Sequence, residues 1–282
     1  MRALPFTESE PTRRILLFLL AVTAASVMGG PLIWMTISSL KMPQELYQTP
    51  PTFLPARATL QNYKELFFQT EFSSYFANSL IVACGTTVLC LAISGLAAYS
   101  LARFRFPGLK SFAVATLLAY LLPEALLVIP LYTMAVHLSL SDSLFGLVLA
   151  NTAFALPMSL WYMRSYFATM PPALEEAAMI DGCTRLGAFR RVTVPLALPG
   201  FASVGMLIFN GAWNEYLLSL VLISSERKKV LPLGLATWIG QDSLYSWGML
   251  LAGSVLLTLF SIFVFLLAQR HLTEGLMNGS IK

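Results

Sequence analysis

Apolar residues along this chain fall into blocks of about 20, separated by shorter polar stretches. A helix of about 20 apolar residues spans the ~30 Å hydrocarbon core of a bilayer. Six such spans are predicted, at about 15–37, 77–101, 112–136, 143–167, 200–223 and 247–267. The first polar stretch, 38–76, carries Pro43, Pro50, Pro51 and Pro55, then a short amphipathic pattern through Leu66, Phe67 and Phe68 that reads as a surface helix. A basic turn, Arg103 to Lys110, follows the second span. Pro123 and Pro130 predict a kink in the third, because proline removes a backbone donor. Neighbouring helices must then satisfy the freed groups. Arg13 and Arg14 precede the first block as they would a signal peptide, but its apolar run is too long for a signal core, so a retained span is expected.

Composition agrees. Of 282 residues 57% are hydrophobic and only 11% charged, with mean hydropathy +0.71, whereas soluble domains carry about 25% charged residues. The expected fold class is an all-α integral membrane protein of six transmembrane helices, read as one domain over 1–282. The net charge of +4 does not point to nucleic acid, since the cations form no patch with interleaved aromatics. They report orientation instead. Six spans put both termini on one side, and that side holds twice as many Lys and Arg as the other. It is therefore expected to be cytoplasmic, with the cluster Arg227-Lys228-Lys229 running against the trend. Cys84, Cys90 and Cys183 have no disulfide or metal spacing, and His137 and His271 are far apart, so no metal site is expected.

The polar stretch 168–199 is the part of the second half best suited to water. Pro171 and Pro172 suit a helix start, and Gly182 suits its end. Thr184 can cap a second short helix carrying Leu186, Phe189, Arg190 and Arg191. The result is a helix-turn-helix with the small side chains Ala177 and Ala178 beside Glu175, Glu176 and Asp181. Small residues allow close approach by another backbone, and a carboxylate in such a contact needs a cation. The expected role is a docking knob for a second protein.

Ionisable residues inside spans are costly and point to function by default. Glu124 and Glu215 are the carboxylates there. Asn210, Trp213 and Asn214 share one helical face, with Glu215 rotated from it. Two readings stand for this group: an aromatic plate with amide edges for a sugar, or helix packing with amide cross-links. Glu124, beside Pro123, fits a hydrogen bond to a freed backbone group or a substrate contact. Glu215, nearer the outer end of its span, has partial hydration as a further explanation. Tyr132 and Asn151 are weaker candidates, with packing as the default.

Glu176-Ala177-Ala178, Gly182 four residues beyond, and Pro195 resemble the cytoplasmic "EAA" loop of permease subunits in binding-protein-dependent ABC importers. Val192 and Val194 replace the usual Ile and Leu. The run Ala97 to Gly108, Leu122-Pro123, Ile129 to Tyr132 and Ala212 to Glu215 resemble the carbohydrate (maltose-transporter-type) group, as its six-span member. The tail departs from the group's ending at Met277, Asn278 and Ser280. This resemblance implies a bacterial-type inner-membrane subunit that works with a second permease, two ATP-binding subunits and an extracytoplasmic solute-binding protein. It implies that Glu175, Glu176, Ala177, Ala178, Asp181, Gly182 and Pro195 meet an ATPase. The chain has no G-x-x-x-x-G-K-[S/T] loop, so no cofactor of its own is expected, and ATP and Mg belong to the partners. The expected cargo is a sugar or oligosaccharide, with a glycerol-phosphate or phosphodiester as runner-up. A phosphate would ask for buried Arg or Lys. A stand-alone secondary transporter lacks its charge relay or inverted repeat, and an embedded enzyme lacks convergent catalytic groups.

Overall fold

The structure is a computed structural model, describing residues 11–105, 107–239 and 246–277. These are largely helical, with no strand among the described residues. In order they form α1 (Pro11–Ser39), α2 (Pro43–Leu46), α3 (Gln61–Gln69), α4 (Phe72–Arg103), α5 (Leu109–Tyr120), α6 (Glu124–His137) and α7 (Leu144–Thr169). Then come α8 (Ala173–Ile180), α9 (Arg185–Ala188), α10 (Val194–Leu196), α11 (Leu198–Trp213), α12 (Leu217–Leu222), α13 (Leu231–Ala236) and α14 (Ser246–Met277). The tail beyond Met277, including the departures at Asn278 and Ser280, lies outside the described residues.

Among the described residues four helices are long and apolar enough to cross a membrane: Ile15–Ser39, Phe72–Arg103, Leu144–Thr169 and Trp247–Gln269. Two bent pairs bring the number to as many as six. The third expected span is more than kinked, because Ser111–Tyr120 and Glu124–His137 meet at 101°. Leu122 precedes a proline, which steers it away from helical geometry, and Pro123 is extended at φ −61, ψ 127. By contrast Pro31, Pro130 and Pro157 sit inside continuous helices. The fifth expected span also breaks. Its first helix ends at Trp213, and the Glu215 carboxylate accepts the backbone N–H of Leu218 at 2.5 Å and of Ser219 at 3.0 Å. A carboxylate bonded to first-turn amides starts a new helix rather than continuing an old one.

The chain divides into two compact units, Met1–Gln69 with Trp238–Leu256, and Thr70–Thr237 with Leu257–Lys282. In the first, the buried Asn62 amide donates to the carbonyls of Ser39 at 2.7 Å and Lys41 at 2.9 Å, pinning α3 beneath the end of α1. In the second, α4 packs along α7 and α11. Close approach depends on glycine. A Cβ on Gly200 would stand 2.7 Å from the Tyr166 ring, the small-residue packing expected where lipid supplies no hydrophobic drive. At one end of this unit Asp142 accepts Ser224 N–H at 3.1 Å, Ser225 N–H at 2.8 Å and Lys228 Nζ at 2.9 Å. Hydrogen bonds from the Ser225 hydroxyl and amide, and from Lys228, hold its carboxyl well below the usual range. Lys229 pairs with Glu226 at 2.5 Å. Glu226 also accepts the Tyr75 hydroxyl, and its carboxyl is likewise lowered, by Lys229 first.

Candidate functional site: a braced elbow and an intramembrane cavity

The 168–199 stretch folds as the residue types dictate. Pro172 is the N-cap of α8. The helix closes in a Schellman motif: Gly182 N–H bonds Met179 O at 3.1 Å and Cys183 N–H bonds Ala178 O at 3.0 Å, with Gly182 at φ +91. The Thr184 hydroxyl accepts Gly187 N–H at 3.2 Å and caps α9. A π-helical turn, Phe189–Thr193, leads to α10, and the run into α11 bends by 72°. Phe189 anchors the elbow in the core, its ring 4.5 Å from that of Tyr99. Arg185 lies over the Phe104 ring at 5.0 Å.

Glu175 is turned inward. It accepts the Tyr99 hydroxyl at 2.8 Å and Arg103 Nε at 2.8 Å, while an Arg103 terminal nitrogen donates to Met170 O at 3.1 Å. Both charged side chains are about nine-tenths buried. Burial pushes the Glu175 carboxyl up, but the bonds from Arg103 and Tyr99 outweigh it and leave the group below the ordinary glutamate value. Glu175 thus ties the elbow to the end of α4. The outward face is different. Glu176, Ala177, Asp181, Gly182 and Pro195 are exposed and Ala178 is half-buried. Leu174, Ala177 and Ile180 lie three residues apart on one ridge, and Ile180 is 86% exposed.

The second feature is a cleft of about 370 Å³ between α4, α7, α11 and the α5–α6 break. Glu124, Asn151 and Glu215 line it, together with Tyr120, Thr86, Phe154 and Tyr162. The structure does not bring the other pathway candidates there. Trp213 is 1% exposed, with its ring 4.4 Å from Phe260 and 5.3 Å from Phe76, and its Nε1 donates to Leu257 O at 3.4 Å. Packing, rather than an aromatic plate, describes it. Trp213→Ala is expected to cost about 3–5 kcal/mol, measured by denaturation in detergent, and to leave the solute preference unchanged. Asn210 and Asn214 are exposed, and the Asn214 amide donates to Asn210 O at 2.8 Å. Tyr132 is exposed and outside the cleft lining.

Residues 90–274 match the profile of the binding-protein-dependent transport system inner membrane component. The chain belongs to this family. It is 32% identical over 280 residues to the trehalose/maltose transport system permease protein MalG of Thermococcus litoralis, covering 97% of this chain and 98% of that one. It is 35% identical to the diacetylchitobiose uptake system permease protein DasC of Streptomyces coelicolor, over 93% and 95% of the two chains. A subunit of a bacterial ABC transporter involved in import of the acidic polysaccharide alginate shares the fold, with TM-score 0.81, 23% identity, and 94% and 99% coverage.

The resemblance to binding-protein-dependent importer permeases read from the EAA loop is therefore the family in which the chain falls, and this is a multi-pass permease component. Sequence reasoning missed Tyr120, Thr86, Phe154 and Tyr162. A signal existed for two of them. Asn151, Phe154, Ala155, Met158, Ser159 and Tyr162 recur at helical spacing and form one stripe of α7 facing the cleft.

Proposed function

We propose that this chain forms half of the translocation pathway of an ATP-driven sugar importer, paired with a second permease and worked from the cytoplasm by two ATPase subunits. The observation that carries this is the braced elbow. Its inner face is fixed to α4 through Glu175, Arg103 and Tyr99, so a push on its outer ridge is delivered to a helix that lines the cleft. Glu176 would meet a cation in the ATPase, Ala177 would allow close approach, and Leu174 and Ile180 would fill an apolar recess. A solute-binding protein would deliver the cargo on the opposite face, in alternating access. Both termini and the elbow are assigned to the cytoplasm by the Lys and Arg bias. Of the opposing cluster, Lys228 and Lys229 are taken up in ion pairs with Asp142 and Glu226. The MalG and DasC names support a saccharide over a phosphate cargo, as does the lack of Lys and Arg in the cleft lining.

The test is purification of the tagged chain from its native membrane, followed by reconstitution. An ATP-hydrolysing subunit is expected to co-purify. Uptake of maltose or trehalose by the reconstituted complex should require both ATP and the binding protein. Movement of solute by the purified chain alone would contradict the reading.

A further inference from the structure

The polar side chains among the cleft lining keep hydrogen-bond acceptors free, and this restricts what enters it. Asn151 gives one of its two amide N–H groups to Leu147 O at 3.0 Å, and its carbonyl oxygen keeps its acceptor sites. Glu215 is engaged by two backbone amides, one on each oxygen, and each oxygen keeps a free lone pair. No hydrogen bond or ion pair among the described residues reaches the Glu124 carboxylate. Thr86 lines the cavity, is 1% exposed, and its buried hydroxyl has no partner among the described residues. A buried hydroxyl left unbonded is costly. Tyr120 and Tyr162 also line the cleft, and among the described residues no Lys, Arg or His does.

Resting on the sugar-importer reading, we propose that this cavity admits saccharide units that are uncharged or carry an ammonium group, and rejects uronates and sugar phosphates, with Glu124 as the determinant. Sugar hydroxyls and ammonium N–H groups donate to the waiting oxygens, and tyrosine rings cover the apolar ring faces. An anion would face two carboxylates and no cation, a repulsive element that selects against it. The fold shared with an importer of an acidic polysaccharide does not decide the matter, because charge preference resides in the side chains of the site.

The test uses the full-length chain in lipid nanodiscs and saturation-transfer NMR with three disaccharides of similar size: maltose, a glucosamine dimer and a mannuronate dimer. Empty nanodiscs are the blank. Maltose and the glucosamine dimer should bind, and the mannuronate dimer should bind at least about tenfold more weakly. Glu124→Gln should weaken the glucosamine dimer about tenfold relative to maltose, and Glu124→Lys should raise the mannuronate dimer to the level of maltose. Equal binding of all three, or a ranking unmoved by both variants, overturns this inference and leaves the sugar reading intact. If none of the three binds, this inference falls, while the importer reading is decided separately by uptake in the reconstituted complex.

Discussion

Arg103→Ala is expected to release the elbow from α4 and lower the stability of the chain by about 3–5 kcal/mol, the cost of stranding a buried charge. Arg103 and Glu175 are both nearly buried and joined at 2.8 Å, so removing the cation leaves the carboxylate with the Tyr99 hydroxyl as its main remaining donor. The loss should appear as a lower unfolding midpoint in detergent. It should also appear as faster thiol labelling of Cys183, which is half-buried beside Gly182. An acid test follows from the same contact. The folded Glu175 carboxyl sits below its ordinary value, so its contribution is complete above about pH 4.3. That contribution is lost as pH falls through the lower folded value. Between pH 7 and about pH 3.5 the wild type should therefore lose more stability than Glu175→Gln, which has no such proton to take up. An unchanged midpoint in Arg103→Ala would mean that the brace does not hold the elbow.

Glu176→Lys should act through the partner and not through the fold. Its side chain is exposed in the first turn of α8, where exchanging an acid for a base costs about 1 kcal/mol against the helix dipole and leaves the packing untouched. The chain should reach the membrane in normal amounts. Solute uptake should nonetheless fall at least about thirty-fold, because loss of one member of a charge pair buried at an interface costs 2–5 kcal/mol, and a reversed charge repels. Hydrolysis of ATP by the partner subunits would continue, uncoupled from transport. Normal uptake at normal expression would remove Glu176 from the interface. The two variants separate the faces of one short helix: Arg103→Ala weakens the inner attachment, and Glu176→Lys weakens the outer one.

The local folding of the elbow was legible in the sequence. Gly182 and Thr184 act as terminator and cap because the backbone itself creates those requirements within a few residues. The inward turn of Glu175 was not legible. Two adjacent glutamates look alike along the chain, and the residues that separate their roles, Tyr99 and Arg103, lie more than seventy positions away. The break at Pro123 was half legible. Proline predicts lost continuity, but whether a helix bends gently or turns through 101° depends on neighbours able to satisfy the freed backbone. Trp213 illustrates a different limit. Its spacing with Asn210 and Asn214 suited both a binding plate and a packed core. The choice fell to Phe76, Phe209 and Phe260, which surround the indole only once α4 and α14 are in place. Glu215 stands out in the sequence for its cost in a span, and its two backbone bonds explain how that cost is met.

The account stands on a partner engaging the elbow from the cytoplasmic side. The direct measurement places a cysteine at Ile180, which is 86% exposed on the ridge, in a chain with Cys84 and Cys183 replaced by alanine. A membrane-impermeant thiol reagent should label it in inside-out vesicles, not in right-side-out ones, and a bound ATPase subunit should protect it. Labelling from the outer face, or labelling that the ATPase leaves unchanged, would contradict the mechanism.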